Sequence, residues 1–246
     1  MDEEFKIVIL AVFDEHNFAN KALTTIHGKP MIQHAYDRAL ESGASQIVVA
    51  TDNPRVGMQA EDFGATVCML MDESITGVAR LAEIADKMEW GDETIIVNFP
   101  ADAPLTPASI LQQVAHNLTK QKDADCATLY TVVNREIADR QDTINMVLDN
   151  EDLVIYCSRT AIPHQSTGTE VSEYKIHNGI NAYRAGLLRI YRLLPSGLLD
   201  QAENIEELKL LYNGMKIHAE EANSLIGKRV LTEADIEKVE AQIAPG

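Results

Sequence analysis

Three charged side chains stand at or beyond the ends of short apolar runs: Asp52 and Asp102 directly after theirs, and Lys21 in the loop after the first. Asp102 lies in Pro100-Ala101-Asp102-Ala103-Pro104, straight after the most apolar run of the chain, residues 94–99. Proline holds φ at about −65°, so this carboxylate sits on a stiff turn. That suits a Mg²⁺ ligand, because the ion takes one or two protein carboxylates and fills its shell with substrate phosphate and water. It equally suits an Asx-turn residue that starts the next helix. Lys21 can neutralise a phosphate as a point charge, or serve as an ordinary surface lysine. Arg80 falls on a helical pattern, where a solvated or salt-bridged role is usual. Arg159 ends an apolar run. His177 lies in a polar-rich run and either faces a cleft or is structural. Glu203, Glu206 and Glu207 share one helix face, most simply a solvated one.

The elements that must position these groups alternate. Strand patterns cover residues 7–11, 46–50, 66–70, 94–99 and 126–133, and helix patterns cover 31–42, 54–63, 77–88 and 107–119. Such βαβα alternation predicts an α/β fold with a mostly parallel sheet and helices on both faces. Ligands bind such sheets at the carboxyl ends of the strands, where Lys21, Asp52 and Asp102 fall. After about residue 140 the rhythm changes. Residues 145–149 and 153–158 read as paired strands around a turn at 149–152, followed by a polar loop over 164–172. A strand is expected over 175–183, helices over 186–194 and 203–212, a strand over 216–219, and a closing helix over 232–243 with Thr232 as its N-cap. One fold with a smaller inserted lobe fits this order better than two independent domains.

The chain has 246 residues and a formal net charge of −17. That charge argues against nucleic-acid and anionic-membrane partners, which need a basic surface. It also means that any polyanionic ligand must be held by local positive charge or a metal ion. No apolar stretch approaches the ~18–20 residues that span a bilayer, and the first residues, Met1-Asp2-Glu3-Glu4, are acidic. A soluble, cytoplasmic protein is expected. Cys68, Cys126 and Cys157 are far apart, lack metal-ligand spacing, and read as buried reduced thiols. Neither a Ser-His-Asp arrangement nor a GxGxxG fingerprint is readable.

Several stretches resemble one family closely. They are Gly28-Lys29-Pro30-Met31-Ile32, Val49-Ala50-Thr51-Asp52, Arg80-Leu81-Ala82-Glu83, Ile96-Val97-Asn98, and Tyr156-Cys157-Ser158-Arg159. His177-Asn178-Gly179-Ile180, Ala182-Tyr183-Arg184-Ala185-Gly186 and the segment from Glu203 to Gly214 continue the match. Across nearly its whole length the chain resembles the CMP-KDO synthetases, the 3-deoxy-manno-octulosonate cytidylyltransferases. The resemblance implies a Rossmann-like nucleotidyltransferase sheet in a single nucleotide-diphospho-sugar transferase-like domain, 1–246. Its core would span about 5–140 and 214–246, with a smaller mixed lobe, about 141–213, used to form a homodimer. It implies transfer of CMP from CTP to an acidic eight-carbon sugar for lipopolysaccharide or cell-surface glycan synthesis, with Mg²⁺ as cofactor. Carried over by position, Lys21 and Asp102 would be catalytic, with Asp102 the metal ligand. Ala11, Lys21, Thr76, Gly77 and Arg80 would bind the nucleotide. Arg159, His177, Tyr183 and Glu206 would bind the sugar.

The departures cluster. Where the family's opening loop reads IPARxxSxRxPGKPL, both arginines are replaced, by Val12 and Asn17, and Asp14 and Glu15 stand nearby. The family's QGDxP turn has become Pro100 to Pro104, and the Asp of its VDTPED motif is Leu231. Glu207 and Lys209 replace a Gln and an Arg on the sugar side. A charge-assisted hydrogen bond contributes roughly 1.5–3 kcal/mol, so two lost Arg–phosphate contacts weaken nucleotide binding by about 10²–10⁴-fold. The expectation is an altered or weak cytidylyltransferase. The alternative is a non-catalytic homologue that keeps fold and dimer but takes another ligand or partner.

Overall fold

The computed structural model describes residues 4–12, 21–70, 77–169 and 171–243. β1 (Phe5–Leu10) leads to a single 3₁₀ turn, Lys21–Leu23, then to a hairpin of β2 (Thr25–Ile26) and β3 (Lys29–Pro30) turning at His27 and Gly28. The alternation that follows is the one the periodicity predicts: α1 (Met31–Glu41), β4 (Gln46–Thr51), α2 (Pro54–Asp62), β5 (Thr66–Met69), α3 (Gly77–Lys87), β6 (Ile95–Pro100), α4 (Ala108–Lys120) and β7 (Cys126–Val133). A short α5 (Arg135–Ala138) precedes β8 (Asn145–Leu148) and β9 (Val154–Ser158), which pair antiparallel as expected. Their turn is held by Asp149, whose Oδ1 accepts from the N–H groups of Glu151 and Leu153.

β10 (Tyr174–Arg184) then enters the main sheet, whose order becomes β7-β10-β6-β1-β4-β5. β6, β1, β4 and β5 run parallel, whereas β10 is antiparallel to both β6 and β7 and also pairs with β8. This strand ties residues 141–213 to the rest of the chain. α6 (Ala185–Tyr191), α7 (Leu198–Glu203), α8 (Glu206–Tyr212), β11 (Ile217–Glu221) and α9 (Glu233–Glu240) complete the fold, with β11 parallel to β7 at the sheet edge.

Alternate side chains of each central strand point to opposite faces. Ile7, Ile9, Val97 and Phe99 join α1, α2 and α4 on one face, while Val8 and Ile96 join α3, α6 and α8 on the other. All six of these strand residues are fully buried, as double cover of a parallel sheet requires. Cys68, Cys126 and Cys157 are buried free thiols inside these strands, as expected. Among the described residues no helix is long and apolar enough to cross a membrane.

One expected element is broken. The helix predicted over 203–212 is two helices, because Asn204 adopts the left-handed conformation, φ 52° and ψ 53°, and Ile205 is extended. Asn tolerates that region better than most residues and ends helices there. The break reorients Glu206 and Glu207 relative to Glu203, so the three carboxylates do not share a face.

α9 begins at Thr232, the expected N-cap. The Asp235 carboxylate accepts from Leu231 N–H (3.2 Å), Thr232 N–H (3.0 Å) and the Thr232 hydroxyl (3.0 Å), and pairs with Lys228 at 2.5 Å. Asp235 is buried. These contacts, the Lys228 hydrogen bond foremost, hold its pKa well below the ordinary carboxylate range. Loss of an N-terminal cap costs about 0.5–2 kcal/mol. Asp235→Ala should therefore lower the unfolding free energy by about 1–3 kcal/mol in urea denaturation. A loss below about 0.5 kcal/mol would mean that these contacts do not anchor the segment.

Candidate active site

The carboxyl ends of β1 and β6 open into a cavity of about 570 Å³, closed on its other sides by the start of α3, by β10, by residues 204–207 and by Arg229. One wall is cationic around a single buried acid. Asp102 is 3% exposed. Lys21 Nζ lies 2.5 Å from its Oδ2, and the Arg229 guanidinium grips it as a fork, Nε to Oδ1 at 2.8 Å and Nη2 to Oδ2 at 3.1 Å. The next peptide continues the clamp, with Val230 N–H donating to the Asp102 carbonyl at 2.8 Å. Burial pushes the Asp102 carboxyl up, but the charge and hydrogen bonds of Arg229, then those of Lys21, outweigh it and leave the pKa below the usual value. α4 starts after Pro107 without a side-chain cap, so Asp102 is not the helix-starting residue of the Asx-turn reading. It is the anchor of an ion-pair cluster.

The opposite wall is acidic and amide-rich. β10 carries an irregularity between His177 and Asn181, where Gly179 has φ +75°, a conformation that favours glycine. The bulge lines up a chain of hydrogen bonds: Gly179 N–H to His177 Nδ1 (3.3 Å), His177 Nε2 to Asn181 Oδ1 (3.0 Å), and Asn181 Nδ2 to Glu207 Oε1 (2.8 Å). These roles fit an imidazole protonated on Nε2. Asn98 Oδ1 and the Tyr183 hydroxyl belong to residues lining the cavity, are buried, and have no hydrogen-bond partner among the described residues. Orphaned buried polar atoms at a cavity wall are what a hydroxyl-bearing ligand would satisfy.

Glu206 reaches from α8 to the start of α3, where its carboxylate accepts from Val78 N–H at 3.1 and 3.3 Å. This close approach needs Gly77, which has φ +47°; a Cβ there would lie 2.0 Å from the Glu206 carboxylate. Burial, then the neighbouring Glu207 charge, push the Glu206 pKa up to about 7, against the opposing pull of Val78 N–H and Lys209. Arg80, one turn into α3, is buried and pairs with Asp52 at 3.2 Å.

Most of the residues expected from sequence meet here. Ala11, Lys21, Gly77, Arg80, Asp102, His177, Tyr183 and Glu206 all line the cavity. Thr76 lies outside the described residues, as do Asp14, Glu15 and Asn17. Arg159 is not part of the lining. Its Nε and Nη2 donate to the Glu203 and Asn204 carbonyls, and its backbone N–H donates to Glu203, so it supports Asn204 from behind. One expectation needs correction, and one residue was missed. The glutamates do not form a solvated face: Glu203 accepts from Tyr156, Ser158 and Arg159, Glu206 from Val78, and Glu207 from Asn181. Arg80 takes the salt-bridged of its two expected roles. Arg229, absent from the sequence reading, is central; its one signal was the basic pair Lys228-Arg229 in a strongly acidic chain.

The donor set around Asp102 does not fit a divalent ion. Lys21 and Arg229 occupy both carboxylate oxygens, and a dication there would meet two fixed positive charges. The Asp of the VDTPED motif is Leu231 here, and Asp235 is committed to the α9 start. Among the described residues no group of three or more His, Cys, Asp or Glu could hold a metal.

An α/β sheet with a cationic cluster in a cavity at its strand ends is the arrangement of a protein that binds an anionic ligand there. A family model described as Cytidylyltransferase matches residues 7–217, and the chain belongs to that family. It is 37% identical over 245 residues to the 3-deoxy-manno-octulosonate cytidylyltransferase of Pseudoalteromonas atlantica, covering 96% of each chain. It is 37% identical over 250 residues to that of Haemophilus influenzae, covering 98% of each. A solved structure of CMP:2-keto-3-deoxy-manno-octonic acid synthetase complexed with CTP superposes with a TM-score of 0.91 at 33% identity, over 98% of both chains.

The raised pKa of Glu206 has a measurable sign. An unfolded Glu titrates near about 4.3, so the folded form holds the proton more tightly. The stability this contributes is complete below about pH 4.3 and is lost as pH rises through about 7. Glu206→Gln keeps the side chain neutral throughout. It should gain roughly 1–2 kcal/mol over the wild type at pH above about 7, discounted for partial solvation, and little at about pH 5. Parallel stability curves for the two proteins across this range would refute the assignment.

Proposed function

We propose that the protein is a cytidylyltransferase that transfers CMP from CTP to KDO or a related acidic sugar, serving lipopolysaccharide or other cell-surface glycan synthesis in the cytoplasm, with weak or altered activity. The observation that carries this is the two-walled cavity. Lys21 and Arg229 offer positive charge at the strand ends, and His177, Asn181, Glu207, Asn98 and Tyr183 offer hydrogen-bonding groups opposite. On this reading the anomeric hydroxyl of the sugar attacks the α-phosphorus of CTP. A new O–P bond forms, the bond to the β-phosphate oxygen breaks, and pyrophosphate and a proton leave. Lys21, with Ala11, Thr76, Gly77 and Arg80, holds the nucleotide. His177, Tyr183 and Glu206 hold the sugar, and Arg159 positions Asn204. Mg²⁺ on Asp102 was the expected cofactor; it does not fit there because two cationic side chains fill that carboxylate.

The fold-level reading is one domain with a core over about 5–140 and 214–246 and a lobe over about 141–213, and a homodimer formed through the lobe. Ile155, Ile190, Leu193, Leu198, Leu199 and Tyr212 lie in that segment and are large, apolar and exposed, which supports an interface there. The second reading, a non-catalytic homologue, draws on Val12 in the cavity wall and on the filled Asp102 site.

Pyrophosphate release from CTP and KDO, with Mg²⁺ present, separates the two. The expected rate is about 10²–10⁴-fold below that of a family member with both loop arginines. Equal rates would overturn the weak-activity reading. No release, with no CTP-induced rise in melting temperature, would leave only the non-catalytic homologue.

A further inference from the structure

We propose that this cavity binds a polyphosphate group without a divalent cation, with the Arg229 guanidinium and the Lys21 ammonium in the place of the metal. The inference rests on the nucleotidyltransferase reading only for its choice of anion; the site is defined by side chains already in contact. Asp102 offers about four acceptor positions, and three are taken, one by Lys21 and two by the Arg229 fork. The carboxylate therefore serves to fix two cations rather than to ligate a third. Its single negative charge leaves the cluster with one net positive charge. Donors remain for a ligand. Among the described residues Arg229 Nη1 makes no hydrogen bond, and Lys21 Nζ uses one of its three N–H groups. Both residues line the cavity.

The geometry is fixed before any ligand arrives. The Val230 N–H bond to the Asp102 carbonyl holds the backbone beside Arg229, and the Asp235 contacts hold the chain on the far side of Leu231. Leu231 carries no ligating atom, and Asp235 cannot turn toward the cavity without releasing three donors and Lys228. A guanidinium fork anchored on a carboxylate presents its outer edge as a planar donor set, which matches phosphate oxygens. In a chain of net charge −17, local cations of this kind are needed to hold a polyanion.

The test is calorimetric titration of the purified protein with inorganic pyrophosphate and with CTP, each in EDTA and in Mg²⁺. Expected is pyrophosphate binding in EDTA that Mg²⁺ does not strengthen, and a drop of about ten- to a hundredfold for Arg229→Gln, with Arg229→Lys recovering part of it. Circular dichroism and melting temperature check that both variants fold. Binding seen only with Mg²⁺, no pyrophosphate binding in either buffer, or an unchanged affinity in Arg229→Gln would each overturn the proposal. Mn²⁺ titration followed by paramagnetic resonance gives a second readout. The wild type and Asp102→Asn should take up Mn²⁺ equally, whereas Arg229→Gly combined with Leu231→Asp should gain a site; an ion bound by the wild type and lost in Asp102→Asn would overturn the proposal. The proposal and the cytidylyltransferase reading fail separately. Metal-free pyrophosphate binding without tighter CTP binding leaves this inference standing and removes the other. CTP turnover with Mg²⁺-dependent binding does the reverse.

Discussion

A carboxylate taken out of water must be paired, because an isolated buried charge is driven to neutralise. Asp102 is the residue on which that constraint falls hardest here. The Pro100 to Pro104 turn holds it at the end of β6, nearly inaccessible, and Lys21 and Arg229 come from opposite parts of the chain to meet it. Lys21 belongs to the 3₁₀ turn after β1, and Arg229 lies a few residues before α9. One ion-pair cluster thus pins the N-terminal loop, the β6 turn and the C-terminal segment around a common point. Removing either cation would leave the acid underpaired, so the three segments depend on one another.

The second constraint is steric and lies across the cavity. Glu206 fits against α3 only because residue 77 has no side chain and can adopt a positive φ. It reaches that position only because Asn204 ends α7 in the left-handed region. Two local backbone choices, far apart in sequence, place a carboxylate at a helix N-terminus, where backbone N–H groups favour negative charge. Burial raises the proton affinity of Glu206, and the neighbouring Glu207 raises it further.

Much of this was legible in the chain. Strand and helix periodicity sufficed for β1, β4, β5, β6 and β7 and for the helices between them, because double burial imposes a strong pattern. Asp102 and Lys21 were readable because they follow apolar runs, and ligand sites of parallel sheets gather at strand ends. Arg229 was not readable. Its partner is 127 residues away, and nothing in its own neighbourhood beyond a basic pair points to the contact. The glutamates were misread for a different reason: a helix-face argument assumes an unbroken helix, and Asn204 breaks it. For Arg80 the pattern left a solvated and a salt-bridged role open, and Asp52, just after β4, settles it as the second. Local patterns thus predict elements well and predict long-range ion pairs poorly.

The two walls together limit the kind of molecule the cavity can hold. Lys21 and Arg229 favour an anion at one end. Glu206, Glu207 and Asn98 Oδ1 offer acceptors at the other, where His177 already donates to Asn181 and Asn181 to Glu207. A purely anionic ligand would leave those acceptors facing its own charge. A purely apolar one would leave Asn98 and the Tyr183 hydroxyl buried and unsatisfied, at a cost of about 1–3 kcal/mol for each group. A molecule with phosphate at one end and several hydroxyl donors at the other satisfies both walls. That pairing of features, more than any single residue, is what the arrangement of β1, β6, β10 and α8 selects.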